Sequence, residues 1–226
     1  MNETKISYPR ILPVGDAALT IEFGNTIDLQ LNQKVIALEH ALQSNQVAEV
    51  IEWVPSYRSL LVLFDPWLGD VSTIEAKLYR LLQNLPTKLE SSPRIIEIPV
   101  QYGGESGPDL EFVAEHSRLT PQEVIEVHAK PVYPIYMMGF TPGFPYLGGM
   151  DARIAAPRLE TPRTLVPAGS VGIAGQQTGI YSIDSPGGWR IIGKTELTLY
   201  DPARENPFLL SPGDQIRFVP IKDGSE

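Results

Sequence analysis

Cysteine is absent from the 226 residues. Disulfides, thiolate metal sites and a cysteine nucleophile are therefore excluded. Histidine is nearly as scarce. His40, His116 and His128 are the full set, and their spacing matches neither HxH, HxxxH nor HExxH, so no metal centre is expected. Positive charge is outnumbered, with 18 Lys and Arg against 27 Asp and Glu and a net charge of −9. Nucleic acid, which demands a basic face, is an unsuitable partner for such a chain. An anionic membrane surface holds no attraction for it either. No apolar run approaches the roughly 20 residues of a membrane-spanning helix. The opening MNETKISYPR has no apolar stretch behind a basic one, so no secretory leader is expected and a cytoplasmic location is. A GxSxG nucleophile elbow is also missing, because Gly169-Ser170-Val171-Gly172 lacks the pattern.

What remains is the composition of a globular protein, 42% hydrophobic and 20% charged, with enough chain for one large core or two modest ones. Residues 8–16 read as a turn. Leu19, Ile21 and Phe23 then alternate with small or polar residues, the mark of a half-buried strand. Asp28 suits an N-cap. Leu31, Val35, Leu38 and Leu42 follow on one helical face over 29–44. Strands are expected at 47–54 and 59–64, and a second helix over 71–85 carries Ile74, Leu78, Leu81, Leu82 and Leu85. After a polar linker at 86–93, residues 94–100 (RIIEIPV) form another strand. The order β-α-β-β-α-β is ferredoxin-like, an α+β domain with two helices on one face of a four-stranded antiparallel sheet. The strand at 94–100 either completes that sheet or opens the next domain. The expected division is 1–90 and 94–226.

The second half begins with a glycine-rich loop, Tyr102 to Asp109, leading into a helix over 110–117 that Asp109 could cap. Thr120-Pro121-Gln122-Glu123 is a capping box with proline at the first helical position, and its helix runs to about Ala129. A strand at 132–138 contains Pro134, which suits an edge position. Further short strands are expected at 171–174, 179–183, 189–193, 195–200 and 215–219, a mainly-β barrel or sandwich. Residues 221–226 read as a frayed tail. Gly139 to Asp201 stands out, holding 11 of the 19 glycines and six of the 21 prolines beside Phe140, Phe144, Tyr146, Tyr181 and Trp189. Backbone-special residues beside rings suggest a shaped cleft with a backbone-lined wall. The alternative is a run of turns in a small barrel with the aromatics as core.

Gly188 to Thr195 (GWRIIGKT) matches the P-loop formula GxxxxGK[ST]. The flanks are wrong: a turn precedes it, and a strand-like ELTLY follows where a phosphate-binding helix should open. His128 ends a helix, where the dipole favours imidazolium; it is either a capping residue or a functional one. The Tyr102–Asp109 loop could offer amides to an anion, and Arg158, Arg163 and Arg190 are either anion clamps or surface charge. Gln176, Gln177, Thr178, Tyr181, Ser182 and Ser185 could supply neutral hydrogen bonds inside a cleft.

GFTPGFPYLGGMD (139–151), TPRTLVPAGSVGIAGQQTGIY (161–181) and SPGGWRIIGKTELTLYDP (185–202) closely resemble the signature blocks of the 5-oxoprolinase B-subunit family. That family is also called the kinase A inhibitor family and is related to the first subunit of allophanate hydrolase. YGGESGPDLEFVAEHSRLTPQEVIEVH (102–128) is similar to its upstream block. The resemblance implies an α+β N-terminal domain and a cyclophilin-like β-barrel at 94–226. It implies a cyclic amide hydrolase active only with its partner C and A subunits, converting 5-oxoproline to glutamate with ATP hydrolysis. ATP would be used by the complex, with no cofactor bound by this chain. Alternatives within the resemblance are inhibition of a sporulation histidine kinase, which would then be a partner, and a carboxyltransferase-type role on urea-like amides. The resemblance carries over a catalytic candidate, His128. It also carries over a substrate cleft of Phe140, Pro142, Gly143, Phe144, Tyr146, Pro167, Gly169, Ser170, Gln176, Thr178, Ser185, Pro186, Gly187, Gly188 and Trp189.

Overall fold

The computed structural model describes residues 6–86 and 93–221, within two compact units, Met1–Ser92 and Pro93–Glu226. Most of the linker expected at 86–93 and of the tail at 221–226 lies outside the described residues. Among those described, no helix is long and apolar enough to cross a membrane.

In the first unit a four-stranded antiparallel sheet carries two helices. Its elements are β1 (Arg10–Pro13), β2 (Ala18–Glu22), α1 (Leu29–Asn45), β3 (Val50–Pro55), β4 (Ser59–Phe64) and α2 (Val71–Gln83). Asp28 caps α1 as expected, accepting from the Gln30 and Leu31 amides at 2.8 and 3.2 Å. Asp70 does the same for α2 through Thr73. Period-two alternation sends Leu19, Ile21, Leu60, Val62 and Phe64 to one face, where they bury against Val35, Leu38 and Leu42 of α1 and Ile74 and Leu78 of α2. The strand order is β1-β2-β4-β3. The expected β-α-β-β-α-β is thus corrected to β-β-α-β-β-α. Residues 10–13, read as a turn, pair with β2 from Arg10↔Glu22 to Pro13↔Leu19, and the 94–100 strand is not in this sheet.

That strand, β5 (Ile95–Tyr102), is committed elsewhere. It pairs in parallel with β13 (Gln215–Ile221) and antiparallel with β12 (Arg190–Lys194), so both its edges are used. The second unit is a closed barrel in which β6 (Tyr133–Met138), β7 (Pro145–Leu147), β9 (Ser170–Ala174) and β10 (Gln177–Ile180) complete the ring β10-β7-β6-β13-β5-β12-β9. Helices α3 (Leu110–Ser117) and α4 (Pro121–Ala129) and a 3-10 turn at Ala152–Ile154 pack with it. A small separate sheet joins β8 (Arg163–Val166) to β11 (Ser185–Gly187). Ile98, Val100, Tyr133, Ile135, Leu147, Val171, Ile173, Ile180, Ile192, Ile216 and Phe218 come from all seven barrel strands, and with Leu110, Val113 and Val124 of the helices they form one core.

Closure explains two further differences. A closed barrel has no edge, so β6 lies between β13 and β7 and is not the edge strand that Pro134 suggested. Pro134 instead sits near the strand's start, and its carbonyl accepts from the Gly148 amide at 3.0 Å. Residues 195–200 form no strand, because the ring closes without them. A single bridge, Tyr200↔Phe208, is their only ladder contact among the described residues. The P-loop look-alike is β12 itself, laddered to β9 and β5 and followed by no helix, as its flanks implied.

Candidate functional site

The capping box forms as read: Thr120 and Glu123 exchange side-chain to backbone hydrogen bonds at the head of α4. The helix delivers His128 into the core, where it is fully buried. Its ring lies 4.5 Å, centroid to centroid, from that of Phe218. Nδ1 is 2.8 Å from the Tyr102 hydroxyl and Nε2 is 2.9 Å from Thr178 Oγ1. Thr178 gives its one proton to the Gly172 carbonyl at 3.0 Å, so it accepts from Nε2–H, and Nδ1 accepts from Tyr102. The result is a closed relay, Tyr102 to His128 to Thr178 to Gly172. Burial, which disfavours the charged ring, lowers the pKa of His128 to about 3. The expected imidazolium at a helix end is therefore corrected to a neutral ring, since desolvation outweighs the dipole. Neither ring nitrogen is left for a substrate.

A second cluster lies on the opposite face of β7, β9, β10 and β12. Phe144, Val166, Ala174, Tyr181, Trp189 and Ile191 are buried together, with Tyr146 packed against them. Phe144 meets Tyr181 and Trp189 edge to face, at 5.3 and 5.4 Å between centroids. Two glycines of the stretch exist for these rings. A Cβ at Gly179 would press on Phe144, and one at Gly187 would collide with the Tyr181 hydroxyl. For Phe144, Tyr181 and Trp189 the core reading of the aromatics holds.

A cleft lies in a different part of the stretch. Gly139, Phe140, Thr141, Pro142 and Gly143 line an open cleft of about 500 Å³ with Met138, Phe208, Leu210, Ser211 and Pro212. Phe140 is held at φ 66 and is 64% exposed, and a non-glycine residue in that region is strained. The turn is braced from below: Ser182 donates to the Pro142 carbonyl at 2.5 Å and lies 3.3 Å from the Thr141 hydroxyl. No residue of the cleft wall is titratable.

The structure therefore separates residues that the sequence placed together. Phe140, Pro142 and Gly143 face the cleft; Phe144, Tyr146 and Trp189 form the aromatic cluster; His128 and Thr178 belong to the core relay. Pro167, Gly169 and Ser170 form the turn into β9, where the Gly169 amide donates to the Tyr181 carbonyl at 2.7 Å. Gln176 lies exposed in the β9–β10 turn. Ser185, Pro186 and Gly187 make β11, where Ser185 is buried and Pro186 exposed. The Gly188 carbonyl accepts from the Leu159 amide at 2.8 Å. Phe208, Leu210, Ser211 and Pro212, the far cleft wall, were missed. Nothing in their residue types marks them, and they reach the cleft only through the fold.

Asp109 is not the helix cap it was taken for, since its side chain makes no capping hydrogen bond. Its carboxylate accepts from the Ile191 amide at 2.7 Å and from Arg163 at 3.0 Å, with Arg190 at 3.7 Å. Arg190 also stacks over Phe112, 3.5 Å from the ring centroid. Two of the three arginines considered as anion clamps thus clamp an anion of the chain itself. The glycine loop before α3 is likewise spent internally: the Gly103 and Asp109 amides donate to Ile192 and Ile191 carbonyls.

Residues 9–210 match the model of the carboxyltransferase domain, subdomain C and D. The chain is 44% identical over 224 residues to the B subunit of 5-oxoprolinase from Bacillus subtilis, covering 95% of this chain and 93% of that one. It is 42% identical to the protein of the same name from Escherichia coli O157:H7, covering 93% and 95%. Among solved structures it superposes on TTHA0988 with a TM-score of 0.82 at 39% identity, covering 92% of this chain and 41% of that one. The chain therefore spans about two fifths of that longer protein. The urea carboxylase of Kluyveromyces lactis aligns with a TM-score of 0.75 at 21% identity, over 94% of this chain and 22% of that one, a likeness of fold alone.

Proposed function

The chain belongs to the 5-oxoprolinase B-subunit family, and we propose that it is the B subunit of an ATP-dependent 5-oxoprolinase that opens 5-oxo-L-proline to L-glutamate together with A and C subunits. Identity above 40% over more than nine tenths of two curated subunits carries this reading. The geometry says what kind of subunit it would be. The lactam is an unstrained amide, and its carbonyl becomes electrophilic once ATP phosphorylates the carbonyl oxygen. Water then adds to that carbon, the C–N bond breaks as the nitrogen takes a proton, and a second water cleaves the acyl phosphate so formed to the carboxylate and phosphate. Those steps need a nucleotide site and a general base. The cleft wall offers no titratable group, and the buried histidine has both nitrogens engaged. On this reading the partners bring the base and the nucleotide. This chain contributes an apolar wall that keeps bulk water from the activated lactam, with Phe140, Pro142 and Gly143 facing it.

The test is reconstitution. Purified chain mixed with its A and C partners should release glutamate in a manner dependent on both ATP and 5-oxoproline. A rate unchanged when this chain is omitted would remove it from the enzyme. Turnover of urea with biotin, without turnover of 5-oxoproline, would move it to the carboxyltransferase role.

A further inference from the structure

The turn from Gly139 to Phe144 spends its amides unevenly. Thr141 N–H donates to the Gly139 carbonyl at 2.8 Å across Phe140 at φ 66, the rare γ-turn of positive φ. Phe144 N–H donates to the Thr141 carbonyl at 3.1 Å across Pro142 and Gly143, the latter at φ 79. That is a type II turn with proline and glycine in their preferred places. Among the described residues, the Phe140 and Gly143 amides have no partner, although Gly143 is buried. Buried backbone donors are nearly always paired, so these two call for an acceptor from outside the chain. Peptide geometry gives their direction, because in a planar trans peptide the N–H points opposite to the carbonyl. The Pro142 carbonyl accepts from Ser182, which is 5% exposed and no part of the cleft wall. Gly143 N–H therefore points away from Ser182. The Gly139 carbonyl is turned inward to meet Thr141, so Phe140 N–H points out of the γ-turn. Both residues line the cleft.

We propose that the Phe140 and Gly143 amides hold the carboxylate of 5-oxoproline in the cleft. This deepens the proposed function and rests on it for the identity of the ligand. The substrate has three polar groups, and two of them do not suit a pair of donors. Its lactam N–H is itself a donor. Its carbonyl oxygen must keep a lone pair to attack the phosphorus of ATP, and donors there would blunt it. The carboxylate takes no part in the reaction and only accepts. Backbone capture of a carboxylate is an established mode of recognition, and hydrogen bonds to an ionised acceptor are the stronger kind. The wall carries no lysine or arginine, which suits a single negative charge better than a phosphate dianion. Met138, Phe208 and Leu210 of the same cleft give the ring methylenes an apolar surface. Ser182 is then a positioning residue, since its grip on the Pro142 carbonyl fixes the plane that carries Gly143 N–H.

Two measurements test it. The first uses the whole chain alone, labelled with nitrogen-15 and titrated with 5-oxoproline over the millimolar range. The Phe140 and Gly143 amide proton resonances should both move downfield. 2-Pyrrolidinone, the same lactam without its carboxylate, should leave them in place. Equal shifts with both compounds would put the lactam oxygen on the amides and overturn the proposal, as would the absence of a shift at either amide. The second measurement uses the reconstituted complex. Phenyllactic acid incorporated at position 140 replaces the amide by an ester, which removes the N–H and keeps the ring. The preference for 5-oxoproline over 2-pyrrolidinone, as a ratio of kcat/KM, should fall by roughly 10- to 100-fold, the range of one lost hydrogen bond to a charged group. The loss should appear in KM for 5-oxoproline far more than in kcat. Ser182→Ala should lower the same ratio. An unchanged ratio for the ester in an active complex would overturn the proposal and leave the proposed function standing. A wild-type complex that proves inactive removes the proposed function by itself, and the titration of the chain then decides the carboxylate site alone.

Discussion

Replacing His128 with phenylalanine makes the buried relay measurable. In the barrel the ring is neutral, with its pKa lowered to about 3 by burial. In the unfolded chain it returns to roughly 6.5. Between those values the unfolded state holds a proton that the native state lacks. The stability this contributes is complete above pH 6.5 and is lost as pH falls toward 3, at up to about 1.4 kcal/mol per pH unit. From pH 7 to pH 5 the wild type should lose about 2 kcal/mol through this one group. His128→Phe keeps a ring against Phe218 but leaves the Tyr102 hydroxyl without its acceptor, which costs about 1–3 kcal/mol. The variant should therefore be clearly weaker at pH 7, and the gap should nearly close by pH 5. Carboxylates such as Glu123 and Asp151, whose pKa values are lowered by hydrogen bonds, titrate in both proteins and cancel in the difference. Hydrogen exchange at the β9 and β10 amides, corrected for intrinsic rate, reads the barrel unit by itself. Parallel pH profiles with a constant gap would refute the neutral, buried assignment.

Asp109→Asn keeps an acceptor for the Ile191 amide but strips the charge from Arg163 and Arg190. Breaking a buried pair by removing one partner costs about 3–5 kcal/mol. Solvent reaches Arg163, whose side chain is 31% exposed, so about 2 kcal/mol is expected after screening, read from the same amides. Phe140→Gly should act in opposite directions on stability and activity. At φ 66 glycine is unstrained, so the barrel should gain about 1 kcal/mol. Glutamate release by the assembled complex should fall, because the cleft loses its exposed ring. Undiminished release would detach the cleft from function.

Much of the fold was legible because local signals agreed with tertiary need. The Asp28 cap, the Thr120–Glu123 box and the short apolar strand at 59–64 all formed where they were read. Errors came where topology decided. A short apolar strand such as 95–102 carries no mark of which sheet will take it, and only the pairing of both edges in the barrel settles the matter. Residues 195–200 alternate like a strand, yet a ring already closed offers them no edge. Pro134 signalled an edge by its missing donor, but near a strand's start that donor is not needed.

The candidate site was legible as a stretch and not as an arrangement. Residues adjacent in a β-strand point to opposite faces, so one sequence block supplies two surfaces by necessity. β10 sends Thr178 to the relay with His128 while Gly179 lies against Phe144, and β12 sends Ile191 to the aromatic cluster and Ile192 to the core. A motif spanning several such strands therefore joins core and surface positions in one string, and residue type does not say which is which. The arginines make the same point through charge. Arg158, Arg163 and Arg190 are equivalent by residue type, and Asp109 is what separates them. Reading it as a helix cap left all three available for a ligand. Its position against Ile191 consumes two. The remaining cation, Arg158, stays exposed with its guanidinium carbon 6.0 Å from the centroid of the Trp189 ring.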